Sequence, residues 1–161
     1  TAIEKPPFVK VIPVVSAADM FEAVKTRAKE QDVIIKAAAV ADYTPVTVNT
    51  EKTKKKEGEA SIALKRTTDI LSWLGEHKEK GQFLCGFSME TENMLENSKK
   101  KLEKKHADMI VANNLKVAGA GFGTDTNVVT LITKEGAKEL PIQTKDEVSY
   151  EILNEIMNKM A

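Results

Sequence analysis

The 161 residues carry 24 Lys and Arg against 24 Asp and Glu, with 42% apolar and 30% charged side chains. That length suffices for one core, the mixture is that of a globular chain, and the neutral balance leaves no general field to hold nucleic acid or an anionic membrane. The longest mostly apolar run, Val33 to Ala41, contains Lys36 and is far short of the ~20 residues a bilayer needs. The single cysteine, Cys85, cannot form an internal disulfide and no secretory signal is seen, so the chain is read as cytoplasmic.

Thr1 to Pro7 reads as a loop. Phe8 to Val15 is β-branched and apolar and predicts a strand, which Pro13 confines to an edge or a strand end. Ser16 and Asp19 open a helix whose Met20, Phe21, Val24 and Ala28 share a face expected to pack on a sheet. Val33 to Val40 is apolar in both directions and predicts a strand covered on both faces. Asp42-Tyr43-Thr44-Pro45 breaks that pattern, and Val46 to Lys56 reads as an exposed excursion. A strand around Ile62 and Leu64 is followed by a helix from about Asp69 through Lys80, with Ile70, Leu71 and Leu74 inward and Gly81 as its stop. Phe83 to Phe87 predicts a strand, Glu92 to His106 a helix, and Met109 to Ala112 a further strand. Such alternation predicts βα units on a mainly parallel sheet. Val128 to Ile132 and Glu139 to Ile142 flank Lys134-Glu135-Gly136 as a hairpin. Thr144-Lys145-Asp146-Glu147 is a capping box, opening a last helix with Val148, Ile152, Leu153, Ile156, Met157 and Met160 as its core stripe. The fold class is α/β, a Rossmann-like three-layer sandwich with a small C-terminal hairpin and helix, and residues 1–161 read as a single domain.

Among residues that could carry chemistry, Asp42 follows a predicted parallel strand, where open α/β sheets bind ligands, although on position alone a turn aspartate is the commoner reading there. Lys52, Lys54, Lys55 and Lys56 could close over a triphosphate; the plain alternative is a solvated charge run. Lys101 and Lys105 stand one helical turn apart and could meet one polyphosphate, or simply belong to a charged surface that includes Glu96 and Glu103. Gly119, Gly121 and Gly123 lack the spacing and following helix of a dinucleotide fingerprint and read as a loop needing positive φ. Cys85, inside an apolar strand, reads as structural, and His77 and His106 form no metal-spacing motif.

Taken together, Ala37-Ala38-Ala39-Val40-Ala41-Asp42-Tyr43, Lys52-Thr53-Lys54-Lys55, Gly86-Phe87-Ser88-Met89-Glu90-Thr91 and Lys101 through Asn113 resemble the phosphopantothenoylcysteine synthetase domain, of the DNA/pantothenate metabolism flavoprotein family. The resemblance runs from about Pro6 to the last helix. It implies a ligase of coenzyme A synthesis in which 4′-phosphopantothenate is activated by CTP, or by ATP as in eukaryotic relatives, before cysteine's amine forms the amide. It further implies nucleotide contacts at Ala38, Asp42, Lys52, Thr68, Asp69, Ile70, Phe87, Lys101 and Lys105, with Lys52 as the catalytic cation. Magnesium is expected to arrive with the nucleotide rather than in a protein cage. A homodimer is implied, as is a possible decarboxylase fused upstream, while nothing in these residues supports flavin binding. No nucleic-acid or membrane partner is expected.

Two departures from the family pattern stand out. Thr67-Thr68-Asp69-Ile70 replaces a common Asn-Pro-Asp-Ile, and the family's early glycine-rich turn with its asparagine is absent from the sequence. The second departure leads to the expectation of a chain that starts mid-domain, with a nonenzymatic nucleotide-binding fragment as the competing reading. A third, nucleic-acid binding through Lys52 to Lys56, would require strong salt dependence.

Overall fold

The computed structural model describes residues 4–49, 51–52, 58, 60–90, 93–114 and 123–161. In chain order its elements are α1 (Ala17–Lys25), β1 (Val33–Lys36), β2 (Tyr43–Pro45), β3 (Leu64–Arg66), α2 (Ile70–Glu76), β4 (Phe83–Glu90), α3 (Met94–Lys104), β5 (Met109–Asn114), β6 (Thr126–Asn127), β7 (Val129–Thr133), β8 (Ala137–Glu139), β9 (Gln143–Thr144) and α4 (Lys145–Met160). They fall into two compact units: Thr1–Thr26 with Ala39–Asp69, and Arg27–Ala38 with Ile70–Ala161.

In the first unit, Ser16 and Asp19 form the expected capping box of α1, each side chain taking the other's backbone amide. Asp19's carboxyl is held below the usual carboxylate range by the Ser16 amide first and the Ser16 hydroxyl second. Met20, Phe21 and Val24 are half-buried. The strand expected at Phe8 to Val15 is not formed: this segment is exposed and Phe8 has a left-handed φ of 63°. Pro13 removes a donor, and the segment has no ladder partner among the described residues. Conversely, Tyr43–Pro45, expected only to interrupt order, pairs antiparallel with Leu64–Arg66 as β2 and β3. Ile62 lies just outside that ladder and is exposed.

The second unit is built on a five-stranded sheet of order β1-β4-β5-β7-β8, in which β1, β4 and β5 are parallel and β7 and β8 antiparallel. Alternation along β4 and β5 separates two faces. Phe83, Cys85, Met109 and Val111 join Val148, Ile152 and Ile156 of α4 in one buried cluster. On the other face, Gly86 lies against Leu71 of α2 and Ser88 bonds Ser98 of α3. Helices therefore cover both faces, giving the expected three layers. Cys85 has no exposed surface, and burial, reinforced by the charge of Asp108, pushes its thiol up to about 12. It is structural.

Several boundaries moved for physical reasons. β1 spans only Val33–Lys36, because its register with β4 ends at Gly86, and Ala37 to Ala39 beyond it are exposed. As an edge strand it is half-buried, with Ile35 40% exposed, rather than covered on both faces. α2 stops at Glu76, where His77 turns its ring onto Trp73 and its Nδ1 to the Trp73 carbonyl. α3 runs Met94–Lys104, ending ahead of His106, whose φ of 48° is left-handed. In α4 only Val148, Ile152 and Ile156 are buried; Leu153 and Met157, each turned ~100° from a buried neighbour, are exposed, as is Met160 in the last turn. The hairpin around Lys134-Glu135-Gly136 forms between β7 and β8, but its second strand is Ala137–Glu139 rather than Glu139 to Ile142, Ile142 being exposed outside the ladder. Thr144 and Glu147 cap α4 reciprocally. Gly123 takes the expected positive φ, at 73°, whereas Gly119 and Gly121 lie outside the described residues.

Gly75 shows what holds α2 in place: a Cβ there would stand 1.9 Å from the Lys105 carbonyl oxygen. A helical Gly→Ala change ordinarily gains about 1 kcal/mol, but here rigid backbone would have to move, an overpacking cost of about 1–3 kcal/mol or more. Gly75→Ala is therefore expected to lower the urea midpoint of unfolding, opposite in sign to the propensity effect.

Candidate functional site

Each unit gathers part of the expected site. In the first, Thr67 N–H donates to the Asp42 carbonyl at 2.9 Å, extending the β2–β3 ladder by one residue. This brings Asp42 beside Thr67-Thr68-Asp69, far away in sequence. Asp42, Thr68 and Asp69 are all exposed. The Arg66 guanidinium lies 5.8 Å from the Tyr43 ring centroid, so the same ladder presents a cation and an aromatic face. Thr67 has a buried hydroxyl oxygen with no hydrogen-bond partner among the described residues. Lys52 is exposed in the segment between β2 and β3; Lys54, Lys55 and Lys56 lie outside the described residues.

In the second unit, Lys101 and Lys105 emerge one turn apart, since the Lys105 amide donates to the Lys101 carbonyl at 2.9 Å even though α3 has ended. Both side chains are half-buried. Lys105 Nζ donates to Ser72 Oγ at 2.9 Å, fastening the end of α3 to α2. Together with the close approach at Gly75, this fixes the ammonium by its side chain and its backbone. Ile70 opens α2 but its side chain is 1% exposed, so only its backbone is available to a ligand. Phe87 packs, half-buried, against the α4-side cluster. Within this unit Phe87 and the α3 lysines therefore belong to opposite faces of the sheet. Ala38 is exposed just beyond β1, its carbonyl accepting from Lys36 Nζ at 2.8 Å.

Four polar residues here were not among the expected contacts, although Ser88 and Asn113 lie in the resembling segments. Ser88 and Ser98, both buried, share a 2.8 Å hydrogen bond that ties β4 to α3 one turn before Lys101. Asn113, near the carboxyl end of β5, has a buried Oδ1 without a partner among the described residues. Gln143 in β9 has an Oε1 in the same condition. The legible signal for Asn113 was a carboxamide ending an otherwise apolar strand.

The opposite end of the sheet holds a cavity of about 360 Å³ lined by Gly81, Gln82, Phe83, Asp108, Lys134 and Glu135, with Lys159 and Met160. Its charges are largely committed. Asp108 accepts from Lys78 at 2.6 Å and from the Leu84 amide at 2.7 Å, and Lys159 bonds Glu135 at 2.9 Å. The Lys159 bond is the main reason the Glu135 carboxyl is held down at about 2. None of the expected nucleotide contacts lies there. Among the described residues no three His, Cys, Asp or Glu side chains converge in a way that could hold a metal ion, and no helix is long and apolar enough to cross a membrane.

A parallel β1-β4-β5 core with helices on both faces and polar groups at its carboxyl edge defines an α/β protein of the Rossmann-like, ligand-binding class. The family model described as the DNA/pantothenate metabolism flavoprotein C-terminal domain matches residues 1–160, and the chain belongs to that family. It is 55% identical over 146 residues to the coenzyme A biosynthesis bifunctional protein CoaBC of Bacillus subtilis, covering 90% of this chain and 36% of that protein. A cysteine/cysteine sulfinic acid decarboxylase from an unknown prokaryotic organism is 45% identical over 92% of this chain and 42% of its own length. The chain thus spans about two fifths of these relatives. A crystal structure of the C-terminal domain of CoaBC superposes with a TM-score of 0.81 at 47% identity, covering 99% of this chain and 72% of that one.

The Ser88–Ser98 pair gives a direct test of how α3 is held. Either serine changed alone to Ala leaves one buried hydroxyl unsatisfied, at about 1–3 kcal/mol. In urea titrations the double Ser88→Ala, Ser98→Ala variant is expected to cost clearly less than the sum of the two single changes.

Proposed function

We propose that this domain is the ligase that joins 4′-phosphopantothenate to cysteine, using CTP as the activating nucleotide with ATP as the alternative. The observation that carries this reading is the 55% identity to a coenzyme A biosynthesis bifunctional protein across 90% of the chain. The motifs that resemble the synthetase domain lie within that span. On this reading both compact units serve one catalytic domain, a proposal supported by a family model that runs across both.

The chemistry asks little covalent work of the protein. The substrate carboxylate attacks the nucleotide's α-phosphorus, an O–P bond forms, and pyrophosphate leaves with the electron pair of the bond it loses. Cysteine's amine then attacks the acyl carbon, the amide C–N bond forms, the amine releases a proton, and the nucleoside monophosphate departs. Both steps are accelerated by fixed positive charge around the phosphates. Lys105, held by Ser72, and Lys101, one turn before it, suit that role because their positions are set before any ligand arrives. Lys52 is exposed on a connecting segment and would supply the mobile cation. Asp42, Thr68 and Asp69, joined through the ladder, would take the nucleotide's polar groups, with Ala38, Ile70 and Phe87 contributing backbone or apolar contact. Magnesium is proposed to enter on the triphosphate and neutralise part of its charge. A homodimer, an upstream fused decarboxylase and a cytoplasmic setting belong to the same proposal.

The test is pyrophosphate release from CTP and from ATP, with magnesium and 4′-phosphopantothenate, with and without cysteine. Release that depends on 4′-phosphopantothenate supports the activating step, and the preferred nucleotide follows from the two rates; no release from either nucleotide overturns the reading. Lys52→Gln is expected to lower turnover by about a hundredfold or more while leaving the melting temperature within about 1 °C, since an exposed lysine contributes little to stability. Unchanged turnover would remove Lys52 from the mechanism.

A further inference from the structure

We propose that Asn113 is a substrate-recognition residue, whose buried Oδ1 accepts a hydrogen bond from an N–H donor of a bound substrate. The inference rests on the ligase reading and gives a role to a residue that closes one of the resembling segments but was not among the implied contacts. Asn113 ends the run Met109 to Ala112, none of which has exposed surface, and it stands opposite Met89 of β4 and Val129 of β7. Those neighbours commit its backbone to the ladders on either side. Its carboxamide oxygen is shielded from solvent, yet no donor among the described residues reaches it. A buried acceptor without a donor is costly, so native structures keep few of them and each calls for an account.

Its place supplies one. Alternation puts Asn113 on the same face as Met109 and Val111, the face that also carries Phe87, and at the carboxyl end of the parallel strands, where α/β sheets bind ligands. A second orphaned acceptor lies at the same end. β7 leads back through Val128, whose carbonyl takes the Asn114 amide at 3.0 Å, to Asn127, which is paired with Gln143. Gln143 Oε1 is also buried and has no partner among the described residues. Asn127 itself cannot serve either, since its Oδ1 is occupied by the Val128 amide at 3.0 Å. Two carbonyl acceptors at one strand end select for a ligand that brings N–H groups. The proposed reaction offers three: cysteine's amine, the amide of 4′-phosphopantothenate and the exocyclic amine of cytosine.

The decisive variant is Asn113→Leu, close in volume and without the acceptor, with Asn113→Asp as the variant that keeps it. If the oxygen waits for a substrate, Asn113→Leu folds with a melting temperature equal to or above wild type, because an unsatisfied group has been removed, while KM for one substrate rises at least about tenfold. Asn113→Asp should retain most of the affinity. Separate titrations of cysteine, 4′-phosphopantothenate and CTP identify the donor, and loss of CTP-over-UTP preference marks the cytosine amine. A lowered melting temperature with all three KM values unchanged would mean that water or the chain itself satisfies the oxygen, and the proposal fails. Wild-type protein that releases no pyrophosphate would instead sink the ligase reading on which it stands.

Discussion

The second unit depends on the complete burial of the first four residues of β5. Met109, Ile110, Val111 and Ala112 have no exposed surface, and this strand joins the parallel half of the sheet to the antiparallel half. Burial on both faces forces its side chains to be apolar and its backbone to be fully paired. The strand is then anchored at its head: Asp108 accepts from the Lys78 ammonium and the Leu84 amide, so one carboxylate fixes where β5 begins beside β4. Asn113 near the strand's other end and the β6–β9 ladder beyond it inherit that register.

How much of this could be read in advance follows from how local each signal is. The caps at Ser16 and Thr144, the inward triad Ile70, Leu71 and Leu74, the strand at β5 and the β7–β8 hairpin are all written within a few consecutive residues. The β2–β3 ladder was not legible because it joins Tyr43 to Arg66, and nothing near either residue announces the other. Phe8 to Val15 misled for the complementary reason: β-branched composition describes a willingness to pair, and pairing also needs a partner. The exposed Leu153 and Met157 show the same limit in a helix, where a heptad of apolar residues does not tell how wide the covered stripe is.

The site was partly legible. Lys101 and Lys105 were placed by helical spacing, and the structure adds what spacing could not, namely that Ser72 and Gly75 of α2 hold Lys105 in position. Asp42 and Thr68 were named for separate reasons, and their juxtaposition through the Thr67 amide is a product of the ladder alone. Ile70 illustrates the opposite outcome, since a residue named as a contact proves to spend its side chain on the core. A residue position can belong to a site while its side chain serves only the fold.

Orphaned polar atoms make the same point in reverse. Thr67, Asn113 and Gln143 each hold a buried polar atom without a partner among the described residues, which lowers stability relative to a satisfied arrangement. All three lie next to elements that carry the expected contacts: Thr67 beside Thr68 and Asp42, and Asn113 and Gln143 at the carboxyl end of β5. Apolar residues of similar size would serve the fold better at these positions. For acyl transfer through an activated intermediate, small N–H donors must be oriented at the same time as a highly charged leaving group is neutralised. On the proposed reading, cations can meet the second demand from half-exposed helix surfaces, whereas neutral acceptors discriminate best when shielded from water, which suits the lysines of α3 and the Asn113 carboxamide to different tasks.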